Sequence, residues 1–140
     1  MVCQEIKDFL AAHADARYAA FVTSLMPGAR PVVGVRLPVL RALAKEIAKG
    51  DWRTYLEEAV DDTFEEVMLQ GYVTGAARMP FEEQMERMAA YVCKINDWAL
   101  CDSPCSGFKF VRKHREEVWA FLQPYLYSGE VFSQRFAVVM

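Results

Sequence analysis

Apolar residues recur along this chain at the spacing of an α-helix, and this periodicity constrains the fold more than any other feature of the sequence. The pattern i, i+3, i+4, i+7 places side chains on one face of a helix. It occurs in three segments: Tyr18, Phe21, Val22 and Leu25; Leu40, Leu43, Ala44 and Ile47; and Met85, Met88, Ala89 and Val92. Turn-forming residues interrupt it at Pro27-Gly28, Pro31, Gly34, Gly50-Asp51, Met79-Pro80, Ser103-Pro104, Gly107 and Ser128-Gly129. The sequence therefore predicts about eight or nine helical pieces joined by short loops.

The clearest helix start lies at Asp62 and Thr63. Each is followed three residues later by a glutamate, which is the spacing of a capping box, and the apolar positions Phe64, Val67, Met68 and Tyr72 come next. Gly71 and Gly75 lie one turn apart on this predicted helix. They lower helix propensity but let another backbone approach closely, so we expect a tightly packed helix pair here.

A further helix is predicted from about Lys109 to Tyr127. Val111, His114, Val118, Phe121 and Leu122 would face inward, and Pro124 would bend its end.

The predicted fold is an all-α, HEAT-like helical-repeat solenoid, an α-α superhelix of antiparallel helix pairs. With 140 residues the chain is expected to form one domain, residues 1–140. It is 54% hydrophobic with only 7 Gly and 6 Pro, which favours neither disorder nor a turn-rich β fold. Paired amphipathic helices fit a degenerate solenoid, although periodicity alone would also allow a compact bundle.

The last residues, Arg135 to Met140, are largely apolar and carry no helix stop signal. We therefore expect the repeat domain to be truncated at its C-terminus. An uncapped repeat would expose apolar surface and favour self-association or contact with a missing second half.

Charged residues in the opening segment and the lack of a membrane-length apolar stretch predict a cytoplasmic protein that does not contact a membrane.

In the cytoplasm, the four cysteines are expected to be free thiols: Cys3, Cys93, Cys101 and Cys105. Cys101 and Cys105, even with Cys93 and His114 nearby, do not have zinc-site spacing, so no metal is expected. His13 should lie at the surface and His114 should be partly buried. With no glycine-rich phosphate loop either, we expect no cofactor.

Three stretches of the chain resemble the AlkD-like DNA alkylation-repair family, in the order and spacing that the family shows. They are Leu25 to Gly28 leading to Gly34-Val35-Arg36-Leu37-Pro38-Val39-Leu40-Arg41; Phe64-Glu65-Glu66-Val67-Met68; and Ile95-Asn96-Asp97-Trp98-Ala99-Leu100-Cys101-Asp102. The resemblance covers the whole chain but only part of a family member, whose last repeats have no counterpart here.

This resemblance implies a DNA glycosylase that hydrolyses the N-glycosidic bond of cationic N3- and N7-alkylpurines in double-stranded DNA, using a concave helical surface and no metal. The family site contains a tryptophan and an aspartate one helical turn apart, and a later arginine. The matching residues are Trp98, Asp102 and Arg135. Asp102 is the implied catalytic residue, and Trp98 and Arg135 bind the substrate.

The chemistry of these residue types suits that role. Trp98 and Asp102 are i and i+4, so they share a face if their segment is helical. Glycosidic cleavage passes through an oxocarbenium-like sugar, which a carboxylate stabilises. An indole face attracts the cationic base, and an arginine such as Arg135 can hold phosphate.

Structural roles are the alternative for all three residues. Trp98 could be a core residue, Asp102 the N-cap before a Ser103-Pro104 turn, and Arg135 a solvated partner of Glu130 or another acid. At the level of the protein, the alternative is a non-catalytic HEAT-like scaffold that binds DNA or another protein.

Basic residues could follow the phosphates of bound DNA, although the net charge is −3. Lys109, Arg112 and Lys113 are the candidates nearest in sequence to Asp102 and are predicted to contact the DNA backbone. The weaker candidates are Arg30, Arg36, Arg41, Lys45, Lys94 and Arg115.

Overall fold

The computed structural model describes residues 3–25 and 30–140, without the side chains of Cys3 and Trp98. The predicted break at Pro27-Gly28 therefore lies outside the described residues. Within them the chain forms nine α-helices and one 3₁₀ helix, Lys109–Lys113. The α-helices are α1 (Cys3–Ala12), α2 (Ala16–Leu25), α3 (Leu37–Lys49), α4 (Trp52–Glu58), α5 (Phe64–Ala76), α6 (Phe81–Val92), α7 (Trp98–Cys105), α8 (Arg115–Leu126) and α9 (Val131–Val139).

The helices from α3 onward stack in two rows. One row runs α3, α5, α7, α9, each helix packing on the next, while α4, α6 and α8 pack on α3, α5 and α9 respectively. Every second helix of the chain thus returns to the same row, as expected when helical repeats bury their apolar faces against their neighbours. The prediction of an all-α helical-repeat fold is confirmed.

Helix α5 forms the centre of this arrangement and begins, as predicted, after Thr63, which is its N-cap. The Thr63 hydroxyl accepts a hydrogen bond from the Glu66 backbone N–H and donates one to its carboxylate. Asp62 and Glu65, the second predicted pair, have other roles. Asp62 binds the Lys7 ammonium at 2.8 Å, and Glu65 is fully buried.

The Glu65 carboxylate holds the segment before α3 against α5. It accepts backbone N–H bonds from Val33, Gly34 and Val35 at 2.9, 2.9 and 3.3 Å. Charge-assisted bonds of this kind stabilise more than neutral ones. Gly34 has a φ of 99°, which side-chain-bearing residues rarely adopt, so the turn into α3 requires glycine.

The close approach predicted at Gly71 and Gly75 is confirmed. A Cβ on Gly71 would lie 2.7 Å from the Tyr91 ring and 2.8 Å from Pro104, and one on Gly75 would lie 2.8 Å from the Gly107 carbonyl oxygen. The absence of side chains on α5 therefore lets α7 and the chain after it pack directly against the backbone.

The predicted break at Ser103-Pro104 is wrong, because α7 continues through Pro104 to Cys105. A proline inside a helix leaves the carbonyl four residues earlier without its N–H partner. Here that carbonyl belongs to Leu100, and the buried Tyr91 hydroxyl donates to it at 2.6 Å. A residue from α6 thus replaces the missing helical bond.

The single helix predicted from Lys109 to Tyr127 is also wrong. The 3₁₀ helix ends at Lys113, His114 leaves helical geometry with φ −135° and ψ 42°, and α8 follows. The imidazole stacks on Phe81 with ring centroids 3.8 Å apart, a contact from α6 that favours the break. His114 is half-buried as predicted, and His13 is exposed as predicted.

The predicted apolar faces of the other helices are confirmed to different degrees. Leu40, Leu43, Ala44 and Ile47 on α3 are all buried. On α2, by contrast, only Val22 is buried among the described residues, while Phe21 and Leu25 are exposed. The sequence pattern does not reveal that α2 lies at the edge of the stack.

Candidate functional site

Helix α7 carries the two residues that the sequence singles out first. Its N-cap, Asp97, accepts the Leu100 N–H at 2.8 Å, so the helix starts at Trp98. Asp102 lies one turn later, which confirms the helical spacing of Trp98 and Asp102. The side chain of Trp98 lies outside the described residues. Asp97 itself is buried, and burial raises the pKa of its carboxyl.

The third residue, Arg135, reaches Asp102 from α9. Its Nε donates to Asp102 Oδ1 at 2.8 Å and its Nη2 donates to Oδ2, so both carboxylate oxygens are engaged. Two-point pairs of this kind fix the carboxylate in orientation as well as position. The pair also links α7 to α9, neighbours in the row.

The structure decides two of the structural alternatives for these residues. Asp102 is not an N-cap, because it lies inside α7. Glu130 is not the partner of Arg135, because its carboxylate caps α9 by accepting from Phe132 and Ser133. Arg135 does pair with another acid, Asp102, as the structural alternative allowed.

The guanidinium further favours the ionised form of Asp102. The hydrogen bond from Arg135 holds the pKa of the Asp102 carboxyl below its ordinary value, and the same contact raises the pKa of Arg135. Asp102 is therefore an anion at neutral pH. It can stabilise a cation or accept a proton, but it cannot act as an acid.

A groove of about 540 Å³ lies between α3, α5 and α7, and Asp102 is not among the described residues that line it. Ser103, the next residue on α7, lines it together with Tyr72 and Arg41. The Ser103 and Tyr72 hydroxyl oxygens are 2.5 Å apart, and Arg41 Nη2 donates to Ser103 Oγ at 3.3 Å. The Arg41 guanidinium also lies over the Tyr72 ring, 5.4 Å from its centroid.

Tyr72 and Ser103 were not identified as site residues from the sequence. Tyr72 has the spacing of a core position and is in fact 92% buried, while Ser103 belongs to what was predicted as a turn. The one feature of the sequence that could have indicated Ser103 as a site residue is its position next to Asp102.

The predicted DNA-backbone residues do not all lie together. Lys109 lines the groove beside Ser103, and Lys109 and Arg112 both line a smaller adjoining groove of about 230 Å³. Lys113 is exposed at the end of the 3₁₀ helix and lines neither groove.

Two of the weaker candidates for DNA-backbone contact, Arg30 and Lys94, form contacts within the protein. Arg30 donates to the carbonyl oxygens of Asp61 and Lys94, at 3.1 and 2.9 Å. The Lys94 ammonium binds Asp61 at 3.1 Å and the Gln70 side-chain oxygen at 2.5 Å. These two cations hold the segments around α5 in place.

The cysteines and histidines form no ligand cluster in the described part of the chain. Cys93 is exposed, Cys101 buried and Cys105 half-buried, and all three are free. Over residues 3–25 and 30–140, no three His, Cys, Asp or Glu side chains group so that they could hold a metal ion. Over the same residues, no helix has the length and apolar character needed to cross a bilayer.

Comparison with protein families identifies the chain's family. The family model described as DNA alkylation repair enzyme matches residues 6–140. No curated protein and no solved structure matches the chain significantly.

Proposed function

This chain belongs to the DNA alkylation repair enzyme family, and from that premise we propose that it is a DNA glycosylase. Its substrates are cationic N3- and N7-alkylpurines in duplex DNA, and it hydrolyses their N-glycosidic bond. The observation that carries the proposal is the Asp102 carboxylate, an anion that Arg135 orients through both of its oxygens on the helix whose next residue, Ser103, lines a groove.

The chemistry needs an anion more than an acid. The alkylated base already carries a positive charge, so when the bond breaks its electron pair neutralises the departing base without a proton donor. The sugar is left as an oxocarbenium-like cation, which Asp102 stabilises at close range. A water molecule then forms the new bond to the sugar, and its proton passes to Asp102 or to solvent.

Trp98 and Arg135 are proposed to assist in different ways. Trp98, one turn before Asp102 on α7, would offer its indole to the cationic base. Arg135 orients Asp102 through Nε and Nη2. Its Nη1, which has no hydrogen-bond partner in the described part of the chain, would bind a phosphate oxygen next to the lesion.

The test is release of free N7-methylguanine and N3-methyladenine from methylated duplex DNA. Asp102→Asn keeps the shape of the side chain but removes the charge, so we expect excision to fall by about 100-fold or more. Affinity for DNA should be unchanged or slightly higher, because a negative charge is lost. Asp8→Asn, on the exposed face of α1, is the matched control and should excise like the wild type.

A wild-type chain that binds methylated DNA but releases no base would contradict the proposal and favour the scaffold alternative. Equal excision by the wild type and Asp102→Asn would also count against it, since the activity would then not depend on this carboxylate.

A further inference from the structure

The proline inside α7 lies close to the proposed catalytic carboxylate. In a regular helix the N–H of residue 104 would donate to the carbonyl of Leu100. Pro104 has no N–H to donate, and Asp102 lies midway between these two residues. Loss of such a bond, together with the contact between the proline ring and the same carbonyl, bends or breaks a helix. The helical bond that α7 lacks is therefore the one that spans Asp102.

A bend at this place would change how the two proposed site residues of α7 face each other. Trp98 precedes Leu100 in the helix and Asp102 follows it. The N-cap bond from the Leu100 N–H to Asp97 lies within the first turn, so it does not fix that turn relative to the rest of α7. The orientation of Trp98 relative to Asp102 therefore depends on what holds the backbone around Leu100.

The second half of α7 is held by side-chain contacts of its own. Asp102 is bound through both oxygens by Arg135 of α9, and the Ser103 hydroxyl lies 2.5 Å from the Tyr72 hydroxyl of α5. These contacts fix the carboxylate relative to the neighbouring helices. They do not reach the turn before it, which carries Trp98.

Tyr91 of α6 holds the backbone at the missing bond. Its hydroxyl donates to the Leu100 carbonyl oxygen at 2.6 Å, and both residues are buried. Burial raises the pKa of the Tyr91 phenol, so the hydroxyl keeps the proton that it donates. A buried carbonyl that lost this donor would be left unsatisfied, which is costly, and the peptide group would turn to find another partner.

The Tyr91 ring is itself fixed by its neighbours. A Cβ on Gly71 of α5 would lie 2.7 Å from Tyr91 Cζ and 2.8 Å from Pro104 Cβ, so both rings occupy the space that the glycine leaves. The Phe108 ring packs edge-on against Tyr91, with centroids 6.4 Å apart and an interplanar angle of 84°. The position of the hydroxyl is therefore determined by the packing of α5, α6 and α7.

We propose that Tyr91 is a positioning residue of the glycosylase site: its hydroxyl replaces the helical bond lost at Pro104 and so sets the orientation of Asp102 relative to Trp98. The inference rests on the proposed function, because it takes these two residues to act on one substrate. Tyr91 is buried and acts through the geometry of α7. Such an effect can be large, since a displacement of about 1 Å in a reacting group can lower a rate by about 100-fold.

Tyr91→Phe removes the hydroxyl and keeps the ring against Gly71. We expect the rate of base excision at saturating methylated duplex DNA to fall by about 10-fold, because Arg135 still holds Asp102. The Kd for the same duplex should stay within about 2-fold, because no surface residue changes. Tyr125→Phe is the matched control. Tyr125 of α8 is half-buried, and its hydroxyl makes no hydrogen bond among the described residues, so this variant should keep the wild-type rate.

Pro104→Ala provides the decisive comparison, because it supplies the missing N–H and keeps the Cβ that lies beside Gly71. In this background Leu100 no longer depends on Tyr91, so adding Tyr91→Phe should lower the excision rate by less than about 2-fold. A loss caused only by poorer packing around the ring would be the same in both backgrounds. An equal loss in both, or no loss in Tyr91→Phe alone, would overturn the proposal.

Thermal unfolding shows whether each variant is folded at the temperature of the assay. If Tyr91→Phe alone does not fold, the comparison rests on the double variant. It should fold and excise at a rate within about 2-fold of Pro104→Ala. A double variant that folds no better than Tyr91→Phe would also overturn the proposal, because the restored N–H would then not replace the hydroxyl.

Backbone NMR separates this inference from the proposed function, because it does not require excision. The ¹³C shifts of Cys101 and Asp102 should move away from helical values in Tyr91→Phe and return in the double variant. Shifts that behave so in a protein whose wild type excises nothing would reject the glycosylase and keep Tyr91 as the residue that orients Asp102. Unchanged shifts, with excision that depends on Asp102 but not on Tyr91, would leave the glycosylase standing and reject the positioning role.

Discussion

At the scale of single residues, Asp102 has a local environment suited to an anion. It is half-exposed, yet the Arg135 guanidinium engages both of its oxygens and lowers its pKa. The residue types were identifiable from the sequence because Trp98, Asp102 and Arg135 match a family pattern. The contact between Asp102 and Arg135 could not be identified from the sequence. The two residues are 33 positions apart, and only the packing of α7 on α9 brings them together.

The ion pair predicts a pH effect with a definite sign. Because the folded-state pKa of Asp102 is lowered, the pair stabilises the fold above the ordinary aspartate pKa of about 4, and this contribution is lost as pH falls through the lowered pKa. Arg135→Gln should raise the pKa of Asp102 toward the ordinary value. A carboxyl ¹³C NMR titration would measure the shift directly.

Lys109→Gln is the control for that titration, because it removes a nearby positive charge that makes no hydrogen bond to Asp102. Its Asp102 midpoint should stay close to that of the wild type. Identical midpoints in the wild type and Arg135→Gln would show that the two side chains are not paired in solution.

At the scale of elements, the shape of the site depends on how closely α7 can approach α5. Thr63 and Glu66 start α5, and the spacing of Gly71 and Gly75 reveals the close approach in advance. The continuity of α7 through Pro104 could not be anticipated. It depends on Tyr91, a residue of α6, which supplies the hydrogen bond that proline lacks.

Gly75→Ala tests this packing. Its Cβ would lie 2.8 Å from the Gly107 carbonyl oxygen, a backbone atom that cannot rotate away. Overpacking costs about 1–3 kcal/mol and the gain in helix propensity returns about 1, so we expect a net loss of up to about 2 kcal/mol in the free energy of unfolding. Urea denaturation would measure it.

Gly129→Ala is the matched control, because a Cβ there meets nothing within 4 Å. It should leave stability unchanged or raise it by less than about 1 kcal/mol by restricting the unfolded chain. If Gly75→Ala were no less stable than Gly129→Ala, the close approach of the two backbones would not hold in solution.

At the scale of the whole molecule, the helices differ in how much of their surface is buried, and so in their local stability. Helix α5 packs on α3, α6 and α7, and eleven of its thirteen residues are buried. Helix α2 has one buried residue among its ten, and it exposes Phe21 and Leu25. Local opening is easiest where few apolar contacts are lost.

Hydrogen exchange should follow that order. We expect the amides of α5 to be the most protected in the chain and those of α2 to exchange among the fastest, as measured by mass spectrometry on peptides from each helix. Uniform protection of α2 and α5 would mean that the chain opens only as a single unit. The self-association expected from exposed apolar residues stays a prediction.

The sequence by itself determined the features that depend on near neighbours in the chain. Helical periodicity, the capping box before α5 and the two glycines could all be read directly, because each acts within about two turns of helix. The family motifs likewise identified Trp98, Asp102 and Arg135 as candidate site residues. Two helix boundaries predicted from local sequence alone were wrong. Helix α7 continues through Pro104, and the helix predicted from Lys109 to Tyr127 is interrupted at His114.

Only the tertiary structure decided what distant segments do to one another. It paired Asp102 with Arg135, satisfied the carbonyl left free by Pro104 with Tyr91, and brought Arg41 of α3 and Lys109 of the 3₁₀ helix to one groove. A hydrogen bond or an electrostatic field depends on distance in space. Which residues come within that distance is determined by how the helices stack.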